Sequence, residues 1–315
     1  MRRVLLFFAL AGLLQPEERT YELRGSLVPP SPATVSLFGS NTPFHADSEA
    51  DPQGHFRFRA LAPGQYTVAV FVPGSGEIRQ TIDLGPSTTN AKGRLELTIP
   101  ISDSGIVSGE SLPDRAKVST RELSIPQTAR REYDEAQKSL GRRDVPSAIA
   151  HLERAVAIAP QYAAAWNNLG TVSYQTRQYA RADECFRKAL DQNPGSYEPL
   201  VNLGGVLLNE AKPRDALSYN RSAVRSRPHD ALANAQLGLN YFLLENLEEA
   251  RKYLETAKGI DPAHFSYPQL TLAKIHLLRK EPDQAAEELR DFLRRHPGVP
   301  EAGQVREQLR TLEEK

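Results

Sequence analysis

The residues best suited to catalysis or metal binding are few and scattered. The 315-residue chain has seven histidines and a single cysteine, Cys185. None of them falls in a spacing typical of a zinc site, a nucleophile elbow or a metalloprotease helix, and no glycine-rich phosphate-binding loop occurs. Catalysis needs a nucleophile, a base and an orienting group, which should leave a trace in the sequence. The sequence therefore predicts a protein that is not an enzyme and has no cofactor.

Four alternating polar residues form the best candidate for a metal site. His45, Asp47, Glu49 and Asp51 alternate along the chain, so their oxygens could lie on one side of a loop around calcium. The residues do not follow the order of a calcium-binding loop, and the polar end of a hairpin is the favoured alternative. We therefore predict no metal. Cys185 is predicted to be a small buried core residue, since a single cysteine cannot form an intramolecular disulfide.

The charge balance limits the kinds of partner. Lys and Arg number 39, as do Asp and Glu, so the formal net charge is zero. A neutral chain lacks the basic field with which proteins attract nucleic acids or anionic membranes. We expect no nucleic-acid partner.

The beginning of the chain predicts export. Arg2 and Arg3 precede an apolar run from Val4 to Leu14, the charge pattern of a secretory signal, and the run is short for a membrane span. We predict a signal at residues 1–15, with cleavage open between Ala11 and Pro16. The mature chain would then be periplasmic, extracellular or on the cell surface, with no integral membrane span.

Residues 19–100 have the period of β-strands. Apolar side chains alternate with polar or small ones in several short runs separated by Pro, Gly, Asn and Asp, and this pattern predicts a small all-β sandwich. The runs are Tyr21–Leu23, Val35–Leu37, Phe56–Phe58, Tyr66–Val72, Ile78–Leu84 and Leu95–Ile99.

Three segments of this region, two of them containing turns, resemble the sequence pattern of a known family. Asp51–Gly54, Phe56–Phe58 and Leu61–Val68 resemble the carboxypeptidase regulatory-like, or transthyretin-like, family of extracellular sandwiches. The resemblance implies a fold and no active site. Because the relatives are extracellular, binding of a surface glycan stays open as an alternative, with Tyr21, Phe44 and Phe71 as candidate exposed aromatics.

A different period governs the second half of the chain. Prolines recur every 34 residues, and alanines and Leu-Gly pairs keep the same step. Such self-similarity indicates stacked helical hairpins, each covered by its neighbour. The prolines are Pro160, Pro194, Pro228 and Pro262.

The run 163–196 resembles the tetratricopeptide repeat, or TPR, family. The residues that match its pattern are Trp166, Leu169, Gly170, Tyr179, Ala182, Phe186, Ala189 and Pro194. Partial patterns follow at 129–162, 197–230, 231–264 and 266–299, with departures at Asn220, Pro268 and Pro282. The resemblance implies an all-α TPR solenoid of about five helix hairpins at 128–299 and a capping helix at 300–315. Residues 101–127 are predicted to be a linker, in which Ile106 and Val107 could add an edge strand.

The family resemblance also implies a binding groove lined by the first helix of each hairpin. The predicted peptide-binding positions are Asn167, Asn168, Thr171, Tyr174, Gln175, Val201, Asn202, Leu208, Asn209, Leu239, Phe242, Leu243, Leu270, Lys274 and Leu277. The groove becomes apolar toward its C-terminal end, which suits an amphipathic helix or an extended peptide. Packing of these leucines between repeats or against the capping helix is the alternative.

Together these features predict a multidomain protein, a small all-β sandwich followed by an all-α solenoid. The predicted function is that of an exported, non-enzymatic adaptor that binds a protein or peptide ligand in the concave groove. The alternative is carbohydrate or cell-wall binding through the sandwich, with the repeats as a spacer.

Overall fold

A computed structural model describes residues 19–73, 76–101, 107–108 and 124–314. The predicted signal at 1–15 lies outside the described residues. Most of the predicted linker, residues 102–106 and 109–123, also lies outside them.

The N-terminal part consists of two β-sheets, here called the β unit. The strands are β1 (Tyr21–Val28), β2 (Thr34–Gly39), β3 (His45–Glu49), β4 (His55–Leu61), β5 (Gly64–Val72), β6 (Gly76–Leu84), β7 (Arg94–Pro100) and β8 (Val107–Ser108). One sheet has the order β4-β1-β7 and the other β3-β2-β5-β6-β8. The β1–β7 pair is parallel, and the other pairs are antiparallel.

The inward residues of both sheets share one apolar core. Leu23 of β1, Leu37 of β2 and Val68 of β5 are fully buried in the same cluster, together with Phe56 and Phe58 of β4. The alternating patterns in the sequence follow from this, because each strand shows every second side chain to the core. All six predicted strands are present, and β8 adds the short edge strand expected near Val107.

Strand β3 was not predicted, because its residues carry no apolar alternation. It pairs only with β2, and an edge strand tolerates charges that would be costly in a central one. Asp47 accepts a hydrogen bond from Ser36 (2.6 Å), and Glu49 accepts one from Thr34 (3.1 Å). Asp51 accepts the backbone N–H groups of the following turn. These oxygens are therefore used within the hairpins, and the described residues contain no group of three or more His, Cys, Asp or Glu able to hold a metal ion.

The described part of the chain continues as eleven helices. They are α1 (Gln127–Gly141), α2 (Val145–Ile158), α3 (Ala163–Gln175), α4 (Tyr179–Gln192), α5 (Tyr197–Asn209), α6 (Pro213–Ser226), α7 (Ala231–Leu243), α8 (Leu247–Ile260), α9 (Pro268–Leu278), α10 (Pro282–Arg295) and α11 (Ala302–Glu313). Consecutive helices pair into five hairpins, named repeat 1 (α1–α2) to repeat 5 (α9–α10), and α11 packs on α10. No described helix has the length and apolar character needed to cross a membrane.

Small residues bring the two helices of a hairpin together. A Cβ at Gly170 would lie 2.6 Å from the Phe186 ring, and one at Gly238 would lie 2.6 Å from Leu254 Cγ. Ala182 and Ala250, on the second helices, are fully buried. The close approach of the helices therefore explains why the sequence repeats glycine and alanine at these positions.

The departures from the repeat pattern have local explanations. Asn220, at a position where an aromatic ring is usual, is fully buried and donates a hydrogen bond to Asn240 Oδ1 (3.2 Å). Its amide lies against Gly204, where a side chain would collide with it. Pro268 and Pro282 begin α9 and α10, a position that needs no amide donor.

Cys185 lies in the core of the first two repeats, as the sequence predicts. Its side chain is buried in the cluster formed with Leu152 and Leu169. Burial raises the pKa of its thiol to about 11, so the reactive thiolate is disfavoured at neutral pH.

Changing Gly238 to Ala tests the close approach of α7 and α8. The added methyl would meet Leu254 Cγ at 2.6 Å and backbone atoms of α8 at 3.0–3.1 Å. We expect G238A to lower the free energy of unfolding by about 1–2 kcal/mol, because the strain exceeds the gain in helix propensity. Chemical denaturation followed by circular dichroism measures the change.

Gly259 of α8 provides the matched control. A Cβ at this position would meet no atom within 4 Å, so Gly259→Ala should stabilise the helix by up to about 1 kcal/mol. If G238A were as stable as G259A, close helix contact would not explain why small residues recur every 34 positions along this chain.

Candidate functional site: the inner face of the helical array

The polar predicted groove residues form a ladder between neighbouring repeats. Asn168 Nδ2 donates to the Tyr133 hydroxyl (2.9 Å), and Asn202 Nδ2 donates to Asn167 Oδ1 (3.2 Å). The same Asn202 amide lies 3.4 Å from the Thr171 hydroxyl. These bonds join the first helices of repeats 1, 2 and 3. The surface formed by the first helices is called the inner face below.

A second rung lies closer to the ends of these helices. Asn209 Nδ2 donates to the Tyr174 hydroxyl (2.6 Å), which links repeats 2 and 3. The Tyr174 ring packs edge-on against Tyr179, and burial raises the pKa of its hydroxyl. Neighbouring first helices are therefore held together by side-chain amides and hydroxyls.

The apolar predicted positions divide into packed and exposed residues. Val201 and Leu208 are buried, while Leu239, Phe242, Leu270 and Leu277 are half-buried and pack against clusters of their own or adjacent repeats. Packing between repeats, the alternative left open by the sequence, holds for these residues. Leu243 (44% exposed) and Lys274 face solvent.

The β unit docks on the array through β6, with a backbone amide of Thr81 and the side chain of Asp83. The Thr81 backbone N–H donates to Asp261 Oδ2 (2.9 Å), and His296 Nδ1 lies 2.9 Å from Asp83 Oδ2. His296 is fully buried. Asp261 follows α8 and His296 follows α10, so alternate residues of one strand meet the ends of successive repeats.

A neighbouring contact extends this interface to β5. The hydroxyl of Tyr267, just before α9, donates to Gln65 Oε1 (2.9 Å). The Tyr267 ring packs edge-on against Phe292 and His296. The pKa of the Tyr267 hydroxyl is raised, first by burial and then by nearby carboxylates, so it stays a neutral donor.

Arg79 of β6 lies in the field of carboxylates from its own strand and from repeats 3 and 4. Burial alone would lower the pKa of its guanidinium, but Glu77 of its own strand together with Asp230 and Glu198 raises it. Asp230 also caps α7 by accepting the Ala233 backbone N–H (3.0 Å). Arg79 Nε forms an ion pair with Glu77 Oε1 (2.5 Å), so carboxylates of its own strand and of the array together favour its charged form.

The other end of the β unit contacts repeats 1 and 2. Gln175 Nε2, a predicted groove donor, bonds to the Gly39 carbonyl oxygen (2.9 Å). Arg143, in the turn between α1 and α2, donates to the Tyr66 hydroxyl (3.0 Å) and lies over the Phe44 ring. The β unit thus touches the array from its first repeat to its fifth.

Several interface residues had no signal in the sequence. Asp261 occupies the register position of Asn193 and Arg227, so its side chain follows no repeat rule. The alternating polar residues Arg79 and Asp83 on β6 have the pattern of a solvent-facing strand surface. Their contacts are made with the helical array, which lies far along the same chain, so the strand sequence alone does not reveal them.

The aromatics that supported glycan binding are not on the surface. Tyr21 (4% exposed) and Phe44 (8% exposed) lie in the core of the β unit, so the expectation that they are exposed was wrong. Phe71 is half-buried. Sugar rings need an accessible aromatic face, which these two side chains do not offer.

Reversing the charge of Arg79 tests the docking. Arg79→Glu places a further carboxylate beside Asp230 and Glu198, and we expect the β unit to separate from the array. Spin labels on cysteines introduced at the exposed positions Gln53 and Glu287 report the distance between the two parts. The expected result is a longer and broader distance distribution.

Arg59→Glu is the matched charge reversal, because Arg59 lies on the sheet that does not contain β6, is 66% exposed and is 3.8 Å from Glu22 of its own sheet. This variant should keep the narrow distribution. Identical distributions for R79E and R59E would contradict an electrostatic lock.

Comparisons with known proteins agree with the repeat geometry. Residues 140–261 match the model of the middle TPR-like domain of cilia and flagella-associated protein 70. The cell division cycle protein 16 homolog of Homo sapiens is 30% identical over 116 residues, which are 34% of this chain and 19% of that protein. The BBSome complex member BBS4 of Xenopus tropicalis is 25% identical over 36% of this chain and 22% of its own length. The chain thus spans about a fifth of these curated relatives.

Solved structures share the fold. MamA from Desulfovibrio magneticus RS-1 is 22% identical, with a TM-score of 0.50 over 56% of this chain and 99% of its own. PilW, a type IV pilus biogenesis factor, is 21% identical, with a TM-score of 0.50 over 55% of this chain and 80% of its own. The described chain is therefore an N-terminal two-sheet β region followed by a TPR-like array of eleven helices.

Proposed function

We propose that this protein is an exported, non-enzymatic adaptor that binds a segment of a partner protein on the inner face of its repeat array. Solenoids of this kind present extended concave surfaces, and TPR proteins act as scaffolds for protein–protein interactions. One observation carries the proposal. The β unit covers the ends of α1 and α3, whereas the corresponding ends of α7 and α9 carry exposed leucines.

The docked β unit would serve the adaptor by fixing the shape of the array. Each repeat of a solenoid contacts only its neighbours, so small rotations between repeats add up along the array. Contacts from β5, β6 and the end of β2 reach repeats 1, 2, 4 and 5. An array that the β unit holds in one shape loses less conformational entropy when it binds a partner segment, and this favours affinity.

Two further parts of the proposal rest on the sequence. Arg2, Arg3 and the apolar run 4–14 support export. The turn at 51–54, where Asp51 accepts two backbone N–H groups and Gly54 has a φ of 79°, supports a β unit of the carboxypeptidase regulatory-like type. Glycan binding is not proposed, since the burial of Tyr21 and Phe44 removes its main support.

Charges within the apolar run should block export. With Leu5→Arg and Leu6→Arg combined, the run loses its hydrophobic continuity, and we expect the chain to stay in the cytoplasm. Fractionation of the source cells and immunoblotting locate the protein. Gln15→Arg, just beyond the run, should still be exported, and equal distribution of the two variants would rule out a signal at this position.

Photo-crosslinking tests partner binding at the inner face. A benzoylphenylalanine at Leu278, which is 63% exposed at the end of α9, should form specific protein crosslinks in the source cells. The same residue at Ile158, which is 44% exposed at the end of α2, is the control. Crosslinks of the same pattern and yield from both positions, or none from Leu278, would contradict the proposed surface.

A further inference from the structure

The outward face of the β4-β1-β7 sheet collects arginine side chains around one carboxylate. Alternate residues of β1, β4 and β7 lie in the core, and the residues between them point outward. Four outward arginines surround the Glu22 carboxylate, at Nε–O distances of 2.8 Å for Arg94, 3.2 Å for Arg24 and 3.8 Å for both Arg57 and Arg59. These four residues are called the arginine face below. One carboxylate neutralises only one of the four guanidinium charges.

The strand register adds to the excess of positive charge. Arg24 of β1 lies directly opposite Arg57 of β4, and like charges in opposed positions destabilise a sheet. On its other side, Arg24 lies opposite Glu96 of β7, the second outward carboxylate of these strands. Desolvation alone would raise the pKa of Glu22, but Arg24 and Arg94 lower it, so Glu22 stays ionised at neutral pH. The three strands therefore keep two excess positive charges on a protein whose formal net charge is zero.

The arginine face lies on the side of the β unit opposite the helical array. Hydrogen bonds between the β unit and the array come from β2, β5 and β6, which belong to the other sheet. Within the described ranges, the four arginines form ion pairs only with Glu22, and their side chains are 34–66% exposed. Docking of the array therefore leaves these guanidinium groups accessible.

The composition of this face favours phosphate groups on an extended surface. Guanidinium groups match phosphate oxygens with two parallel hydrogen bonds. A sugar chain would need an exposed aromatic ring, and the outward positions of these three strands hold no Phe, Tyr or Trp. A protein partner would need an apolar interface core, and Val28 is the only large apolar side chain among the same outward positions. A membrane surface needs neither feature.

The place of this face along the chain also favours a membrane. The apolar run 4–14, which supports export, is separated from Arg19 by residues 15–18. A segment of this length reaches at most about 18 Å. Strand β1, which carries Glu22 and Arg24, begins at Tyr21. When the apolar run enters a membrane, the headgroups of the lipids therefore come close to the arginine face.

We propose that the arginine face binds the phosphate groups of acidic lipids and so attaches the β unit to an anionic membrane surface. Such surfaces attract clustered arginines over a distance of roughly 10 Å in 0.1 M salt. This attachment goes beyond the adaptor function, because it uses the sheet that does not contact the array. Its test does not involve the inner face, so the two functions can fail separately.

Sedimentation of the full chain with lipid vesicles tests the attachment. Vesicles of phosphatidylcholine with roughly 30% phosphatidylglycerol should bind the protein at least about tenfold more tightly than pure phosphatidylcholine vesicles in about 0.1 M salt. The difference should disappear in about 0.5 M salt, because the attraction is electrostatic. Equal binding to the two kinds of vesicle in low salt would overturn the proposal.

Charge reversals locate the binding, and every variant keeps residues 1–18 unchanged. Arg57→Glu combined with Arg59→Glu should weaken binding to the anionic vesicles on the order of 20-fold, since each arginine at such a surface contributes a factor of about five. Arg214→Glu combined with Arg225→Glu, at exposed positions of α6, changes the net charge equally and should leave binding unchanged. Glu96→Lys should strengthen binding about fivefold. Equal effects of the two double reversals, or no gain with Glu96→Lys, would contradict the proposed face.

A fluorescent probe identifies the surface that meets the lipid. With Thr98→Cys, at an exposed outward position beside Ser26, an environment-sensitive dye should shift its emission to the blue on anionic vesicles. The same dye with Glu287→Cys, at an exposed position of α10, should show no shift. The native Cys185 is buried and does not compete for the dye. Equal shifts at both positions, or binding of soluble polyglutamate as tight as that of the vesicles, would overturn the assignment to a membrane.

Discussion

The structure depends on the inability of a single helical hairpin to bury its own apolar face. Each hairpin is closed by small residues such as Gly170 and Gly238, and its remaining apolar side chains are covered by the next repeat. Buried clusters therefore cross repeat boundaries, and the array is stable only as a row. The inner face arises from the same constraint. Each first helix packs against its neighbours on some sides, and the side that remains uncovered forms part of the inner face.

In this protein the β unit occupies part of the inner face. Its contacts are mostly polar: a strand amide on Asp261, a histidine beside Asp83 and a guanidinium among carboxylates. Such groups are costly to bury without partners, so they specify one docked arrangement more strictly than apolar contact does. The docked unit bridges distant repeats and leaves the leucine-bearing end of the inner face open.

The sequence was sufficient for most of the helices and strands and insufficient for their assembly. Alternation predicted six strands because each has a buried face, and the 34-residue step predicted the hairpins because helix contact restricts side-chain size. Strand β3 was missed, since an edge strand of His, Ala, Asp, Ser and Glu has no apolar pattern. The partners of Arg79 and Asp83 were equally hidden, because a charged strand surface looks the same whether it faces water or a distant repeat. Four of the five predicted groove leucines, all except Leu243, are packing residues for a related reason: helix periodicity cannot distinguish an inner face from a contact between repeats.

The bond between Thr81 and Asp261 has a consequence for solubility. Among the described residues, β6 pairs with β8 only at Gly76 and Glu77, and a strand edge without a partner offers backbone groups to strands of other molecules. A carboxylate from the array takes one of these amides and brings a negative charge to the margin. The helical half of the molecule thereby covers part of a strand edge that would otherwise be open to intermolecular β-pairing.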